Sequence, residues 1–317
     1  MITPLAAALD SLTGLAFGDA FGDRWFGILR REGDAALESR TLPPEPVWRW
    51  SDDTAQALVL VGELAEGGGD VDADRLALRL AAAYADDTHR GYGASMHDVL
   101  RRIGAGEPWR DVVAGQFAGQ GSWGNGAAMR VAPLGAWHAA DLDAVAELAA
   151  RQSTVSHHHP EAVAAAVAVA LAAALAASSR GGPAPARPDL LNAVAARLPD
   201  SDVRSGLRIA ARMPAHTSVR HAAEVLGSGY RMSGPDTAPY ALWCAAGHLD
   251  DLHEALWTTV EGRGDIDTTC AIVGGVVAAR TGTGALPPAW HAALEPLPPL
   301  GRGVRGVRGD GAGRGLT

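Results

Sequence analysis

Two short stretches place a hydroxyl and paired carboxylates at the head of an apolar run: Ser51-Asp52-Asp53-Thr54 and Gly264-Asp265-Ile266-Asp267-Thr268. As local structure, each reads as a helix start. Ser51 would cap the first helix, and the acids would occupy the first turn, where the helix dipole favours negative charge. As chemistry, each offers hard oxygen donors suited to a divalent cation. Either stretch alone is ordinary. Two of them, roughly 210 residues apart and alike in context, make a shared two-cation site the sharper expectation. An oxygen-only donor set favours Mg²⁺ or Mn²⁺ over Zn²⁺, which would draw on His or Cys. A third stretch, Asp86-Asp87-Thr88, repeats the letters but follows a helical pattern and runs into His89-Arg90-Gly91-Tyr92-Gly93, so a polar helix end is expected there.

A glycine-dense loop, Gly121-Ser122-Trp123-Gly124-Asn125-Gly126, precedes an apolar stretch that includes Arg130. Glycines let backbone approach a ligand closely, and successive N–H groups can cradle phosphate. The loop lacks Gly-Lys-Ser/Thr and a preceding strand, so it is neither a P-loop nor a dinucleotide fingerprint. Trp123 inside such a loop is a candidate to stack on a ribose or base, and a purely structural turn is the alternative. Ser156-His157-His158-His159-Pro160-Glu161 precedes the most apolar segment, with Pro160 in the first helical turn. Consecutive residues point in different directions, so one histidine is expected to face a substrate and the others water.

These groups must be carried by helices. Helical patterns run over about 2–17, 52–65, 72–85, 95–103, 142–152, 160–177, 189–197, 202–213, 217–226, 238–246, 250–260 and 268–281, and no convincing alternating strand occurs. The glycines of Gly18-Asp19-Ala20-Phe21-Gly22 suggest close helix packing with Asp19 turned inward, near the end of the first helix. Residues 28–49 read as irregular, with Pro43, Pro44 and Pro46 excluding helix before Ser51. The stretch 178–187 reads as a surface loop, since candidate site residues lie on both sides of it. The expected organisation is one domain over 1–300, followed by a disordered Gly/Arg-rich tail over 301–317.

The composition narrows the chemistry. All 27 basic residues are arginines, which removes lysine Schiff-base and general-base mechanisms. A formal net charge of -9 argues against a generic nucleic-acid binder. Two cysteines, Cys244 and Cys270, are too few for a Cys-rich metal site and read as buried thiols. Residues 162–177 are short for a bilayer span and rich in Ala, so a buried central helix is expected. No secretory signal is visible, and a cytoplasmic protein without membrane partners is the reading.

Taken together, in their order along the chain, the GDAFG, SDDT, glycine-loop, Ser156-His157 with Pro160-Glu161-Ala162, and GDIDT motifs resemble the ADP-ribosylglycohydrolase family, which includes the dinitrogenase-reductase-activating type. The resemblance implies an all-α orthogonal multi-helix bundle with two Mg²⁺ (or Mn²⁺) ions in a cleft. Ser51, Asp52 and Asp53 match one half of the metal site; Asp265, Asp267 and Thr268 match the other. Ser51 stands where a threonine is more usual. Gly121, Ser122, Trp123, Gly124, Asn125 and Gly126 match the segment holding phosphates and distal ribose, while Asp19 and His157 match positions at the substrate cleft. The implied activity is hydrolysis of the glycosidic bond between ADP-ribose and a protein side chain or small molecule, with Asp52 or Asp53 as general base. The sequence departs from the pattern at Phe26, where many members carry a glutamate. Asp23, Glu32 and Glu38 are candidate substitutes, and a catalytically silent ADP-ribose-binding protein is the alternative.

Overall fold

The computed structural model describes residues 2–42 and 47–300. The three prolines expected to break the chain before Ser51, and the Gly/Arg-rich tail, lie outside them. Among the described residues seventeen α-helices follow in order: α1 (Pro4–Glu32), α2 (Ala35–Ser39), α3 (Asp52–Glu66), α4 (Ala73–Asp86), α5 (Ala94–Gly104), α6 (Trp109–Ala114), α7 (Gly126–Met129), α8 (Ala132–Trp137), α9 (Leu142–Thr154), α10 (Pro160–Ser178), α11 (Arg187–Ala195), α12 (Asp202–Arg212), α13 (Val219–Leu226), α14 (Gly234–Gly247), α15 (Leu252–Val260), α16 (Ile266–Thr281) and α17 (Pro288–Ala293). Among the described residues there is no strand, only the isolated bridges Trp48–Leu294 and Gly124–Ser233. The architecture is the all-α bundle expected.

Helix α1 departs from its expected length. It does not end at Gly18–Gly22 but continues to Glu32 and closes on Gly33, at φ 63. The glycines are there for contact with α16. A Cβ on Gly18 would stand 2.0 Å from the Cys270 carbonyl oxygen, and one on Gly22 would stand 2.6 Å from the Asp267 Cα. Gly14 and Gly274 continue the seam, since a Cβ on Gly274 would lie 2.1 Å from the Gly14 carbonyl oxygen. Bare backbone therefore faces bare backbone along the two helices, and Ser11 Oγ spans them to donate to the Gly275 carbonyl oxygen at 2.8 Å.

Helix α10 is buried on nearly every side, as its Ala/Val/Leu composition requires. It is long and apolar enough to cross a membrane by composition, yet 72% of that apolar window is packed inside the protein. It contacts α8, α9, α14 and α16 as the central post of the bundle. One cluster of buried side chains extends from Ala7 to Trp290, passing under the 179–186 loop between α10 and α11. The long periodic helices were readable from spacing. The short ones, α2, α6, α7, α8 and α17, were not, because four to six residues carry too little periodicity to register.

Candidate metal centre

The two acidic helix starts meet. Asp19 on α1 is completely buried and accepts from the Ser51 amide at 2.9 Å, the Thr54 amide at 3.0 Å and Thr54 Oγ1 at 2.6 Å. It therefore pins the first turn of α3 from beneath, and is a support for that turn rather than a wall of an open cleft. Burial lifts its carboxyl to about 6 against the pull of those hydrogen bonds. Ser51 is the N-cap of α3: its hydroxyl oxygen accepts from the Asp53 amide at 3.2 Å and donates to Asp53 Oδ2 at 2.8 Å. Asp52 Oδ2 accepts from Gln56 Nε2 at 2.7 Å, one turn along the same face.

Across the seam, Asp265 stands at the start of α16 without capping it, its Oδ2 accepting from Asn125 Nδ2 at 2.7 Å. Asp267 and Thr268 follow in the first turn, Asp267 beside Gly22 of α1. Like charges crowd here. Burial first, then Asp19 and Asp265, push the Asp52 carboxyl up to about 7. Asp53 is raised well above the usual carboxylate range by burial and by Asp19, Asp267, Asp52 and Asp265. Burial together with Asp265, Asp19 and Asp52 does the same to Asp267. The Asp265 carboxyl is also raised by burial, with Asn125 opposing.

Two carboxylate oxygens in this cluster, Asp53 Oδ1 and Asp267 Oδ1, are buried and have no hydrogen-bond partner. Unpaired buried charge is among the costliest features a fold can hold, and a cation is its natural complement. The donors are all oxygen, from carboxylates with Ser and Thr hydroxyls alongside, which is the chemistry of Mg²⁺ or Mn²⁺. Among the described residues no three His, Cys, Asp or Glu side chains stand at direct metal-coordination spacing. The orphaned oxygens and the mutual repulsion are what make the donor set fit a cation.

The glycine loop lies against the same cluster. Asn125 Nδ2 bridges to Asp265 Oδ2 and to Thr237 Oγ1 at 3.1 Å, so the loop and α14 are tied to the acids. His157 is buried beneath the loop: a Cβ on Gly126 would meet its ring at 2.7 Å, and one on Gly124 at 3.1 Å. Those glycines make room for the ring. Burial, with Arg130 nearby, depresses His157 to about 3, so it is neutral at ordinary pH. His158 and His159 are half-buried, and His159 Nδ1 accepts from the Glu161 amide as the cap of α10. The amides of Gly121, Gly124 and Asn125 are already spent on Gln116, Ser122 and Met232, so the loop is not an unbroken phosphate nest. Trp123 is 53% exposed, its ring edge-on to His159 at 6.0 Å between centroids.

Two groups went unassigned in the sequence reading. Arg130 is completely buried, donating to Gln152 Oε1 at 2.8 Å, Gln56 Oε1 at 2.7 Å, Ser156 Oγ at 3.0 Å and the Gln152 carbonyl oxygen. Gln56 in turn donates to Asp52, and Ser156 Oγ meets His157 Nδ1 at 2.9 Å, so Arg130 is linked to both by a relay of hydrogen bonds. Burial lowers the guanidinium to about 9, which still leaves it charged at neutral pH. The spacing of Asp52 and Gln56 hinted at this relay; nothing in sequence pointed to Arg130. Arg90 is the second. Its carbonyl oxygen accepts from the Asp52 amide at 2.7 Å, and its guanidinium stacks on Trp50 at 3.6 Å while pairing with Glu295. Asp87 ends α4 and pairs with Arg90, so the repeated DDT is the polar helix end expected.

Phe26 lies two turns beyond Asp19 and is 36% exposed. Of the candidate substitutes, Glu32 and Glu38 are exposed near and beyond the end of α1, and Asp23 is one turn from Asp19 on the same face.

A helical bundle whose two acidic helix starts converge beside a glycine loop defines a class, and comparison with known proteins gives it a family. A model described as ADP-ribosylglycohydrolase matches residues 2–310. The chain belongs to the ADP-ribosylglycohydrolase family. It is 40% identical over 91 residues to ADP-ribosylhydrolase ARH3 of Xenopus tropicalis, covering 27% of this chain and 25% of that protein. To the Homo sapiens ARH3 it is 42% identical over 90 residues, covering 27% and 24%. The matches thus span about a quarter of the length of these curated relatives. An uncharacterised protein of Archaeoglobus fulgidus is 29% identical over 293 residues, covering 90% of both chains. A solved structure described as an ADP-ribosylglycohydrolase-related protein complex superposes with a TM-score of 0.61 at 26% identity, covering 93% of this chain and 94% of that one.

Proposed function

We propose that the chain is a metal-dependent hydrolase that cleaves the glycosidic bond joining ADP-ribose to an acceptor, either a modified protein side chain or a small molecule. The observation that carries the reading is the pair of buried, partnerless carboxylate oxygens, Asp53 Oδ1 and Asp267 Oδ1, on two helix starts that α1 draws together. Ser51, Asp52 and Asp53 would hold one half of a two-cation site, and Asp265, Asp267 and Thr268 the other. When bound, Mg²⁺ or Mn²⁺ supplies Lewis-acid polarisation of the bond and orientation of the ribose hydroxyls.

The rest of the work belongs to the chain. Asp52 is held by Gln56 through Oδ2, which orients its carboxylate for the role of a general base that takes a proton from an attacking water. Asp53 is the neighbouring candidate for the same role. Asn125 fixes the glycine loop against Asp265 and so sets where a substrate's phosphates and distal ribose lie. Trp123 presents an exposed ring for stacking on that ribose or base. Neutral His157 supports the loop from below and adds no charge to the anion's path. Buried free thiols at Cys244 and Cys270 accord with a cytoplasmic setting.

The test is turnover. Purified protein with Mg²⁺ or Mn²⁺ is offered arginine-, serine- and nucleic-acid-linked ADP-ribose, and ADP-ribose release is measured. Release from at least one acceptor, lost with Asp267→Ala, is expected. Binding of ADP-ribose without release from any acceptor rejects hydrolysis in favour of the silent binding reading. Absence of divalent-cation binding rejects both.

A further inference from the structure

At the C-terminal end of α14, about 15 Å along that helix from the contact of Thr237 with Asn125, the surface opens into a hollow of ≈ 620 Å³ between the α10–α11 loop and the start of α15. Its walls are mostly small and apolar, including Ala184, Pro185 and Leu249, and Arg187 and His248 bring the cationic and hydrogen-bonding groups. Arg187 is half-buried, with its guanidinium stacked over the ring of Trp243 at 4.2 Å. Among the described residues it makes no ion pair and no hydrogen bond, and its Nε is buried without a partner.

That is unusual company for a guanidinium. Most of the other arginines described here reach a carboxylate, and Arg130 reaches four acceptors. The acids bordering the hollow do not serve Arg187. Asp250 pairs with Arg280 at 2.8 Å, and Asp251 caps α15 through the Glu254 amide at 3.0 Å. His248 is neutral-leaning, its pKa lowered by burial, and its Nε2 is matched with Thr258 Oγ1 at 3.1 Å. The fork is also given room: a Cβ on Gly247 would stand 2.0 Å from Arg187 Nη2, so a larger residue there would displace the guanidinium from its present seat. An aromatic-stacked, partly desolvated fork is pre-organised for two-point recognition of a carboxylate or phosphate.

We infer that this hollow is a second ligand site, separate from the acidic cluster, which takes a small organic anion: a carboxylate or phosphate group on the Arg187 fork and an apolar body against the Ala/Pro/Leu walls. Its existence does not depend on hydrolysis at the acidic cluster. The probes are benzoate and inorganic phosphate, titrated separately into the full chain in EDTA and followed by the indole N–H resonance of Trp243. At least one should give a saturable shift in the millimolar range or tighter. Arg187→Met should weaken it by about tenfold or more, leaving the Mg²⁺-dependent thermal stabilisation unchanged. Gly247→Ala, which keeps every charge but crowds the fork, should weaken it similarly and serves if Arg187→Met fails to fold. Benzoate binding alone identifies a carboxylate with an apolar body, and phosphate binding alone identifies a phosphate ligand. Saturation by neither probe up to about 50 mM, or equal binding by both variants and the native chain, overturns the inference.

Discussion

Asp52→Asn tests the physics of the acidic cluster without requiring a substrate. The native carboxyl, ordinarily at 3.8, is pushed up to about 7 by burial and by Asp19. The folded state thus holds this proton more tightly than the unfolded chain does. Its contribution is complete below about pH 4 and is lost as the pH rises through about 7. At ~1.4 kcal/mol per tenfold change in proton affinity, ionising Asp52 costs the cation-free fold about 4 kcal/mol at pH 8. The asparagine keeps the shape and the Gln56 contact but still buries an amide, which leaves a net gain of about 2–4 kcal/mol. At ~2 °C per kcal/mol for a chain of this size, the cation-free variant should melt about 4–8 °C above the native protein at pH 8 and level with it near pH 4. His157 works in the opposite sense, since its depressed pKa removes stability as the pH falls below its ordinary value of 6.5. Both proteins share that loss, so the difference between them isolates Asp52. Adding Mg²⁺ should reverse the order at pH 8, stabilising the native chain alone. A variant that melts lower than the native protein in EDTA at pH 8 would refute the crowding argument.

Two further substitutions probe the supports. Gly18→Ala places a methyl 2.0 Å from the Cys270 carbonyl oxygen, a clash with backbone that only separation of α1 and α16 can relieve. Chemical denaturation should show a loss of about 1–3 kcal/mol or more, and calorimetric titration should show weakened Mg²⁺ binding, because Asp19 and Asp267 move apart with the helices. Arg130→Met leaves Gln56, Gln152 and Ser156 short of a buried donor, so a loss of about 3–5 kcal/mol is expected in the same assay. An unchanged denaturation midpoint would remove Arg130 from the relay to Asp52.

The sequence was most legible where pattern and chemistry coincided. The apolar run after Asp52 and the Ala/Val/Leu run after Pro160 gave helices of nearly the observed length, and the hydroxyl-plus-acid pairs marked both helix starts that meet. Gly18 and Gly22 were half legible: the close helix packing expected there is present, but the helix end placed beside them is not, because a residue without a Cβ serves equally for a turn and for a close helix crossing. Arg130 was unreadable for a different reason. An arginine following Ala-Ala-Met carries no local sign that three polar side chains from α3, α9 and the turn after α9 will converge on it. The cradle of Gly124 and Gly126 around His157 was likewise invisible, since the ring and the glycines lie about thirty residues apart and meet only in the fold.

The glycine seam between α1 and α16 has a consequence for synthesis. Ser11 and Gly275 are joined across 264 residues, and the acids that flank the seam are likewise split between α1 and α3 on one side and the start of α16 on the other. During translation α1 waits, its bare glycine face exposed, until α16 leaves the ribosome. Contacts of such sequence separation form late and slowly. The nascent protein therefore carries no assembled acidic cluster, and acquires one only at the step that also closes the bundle.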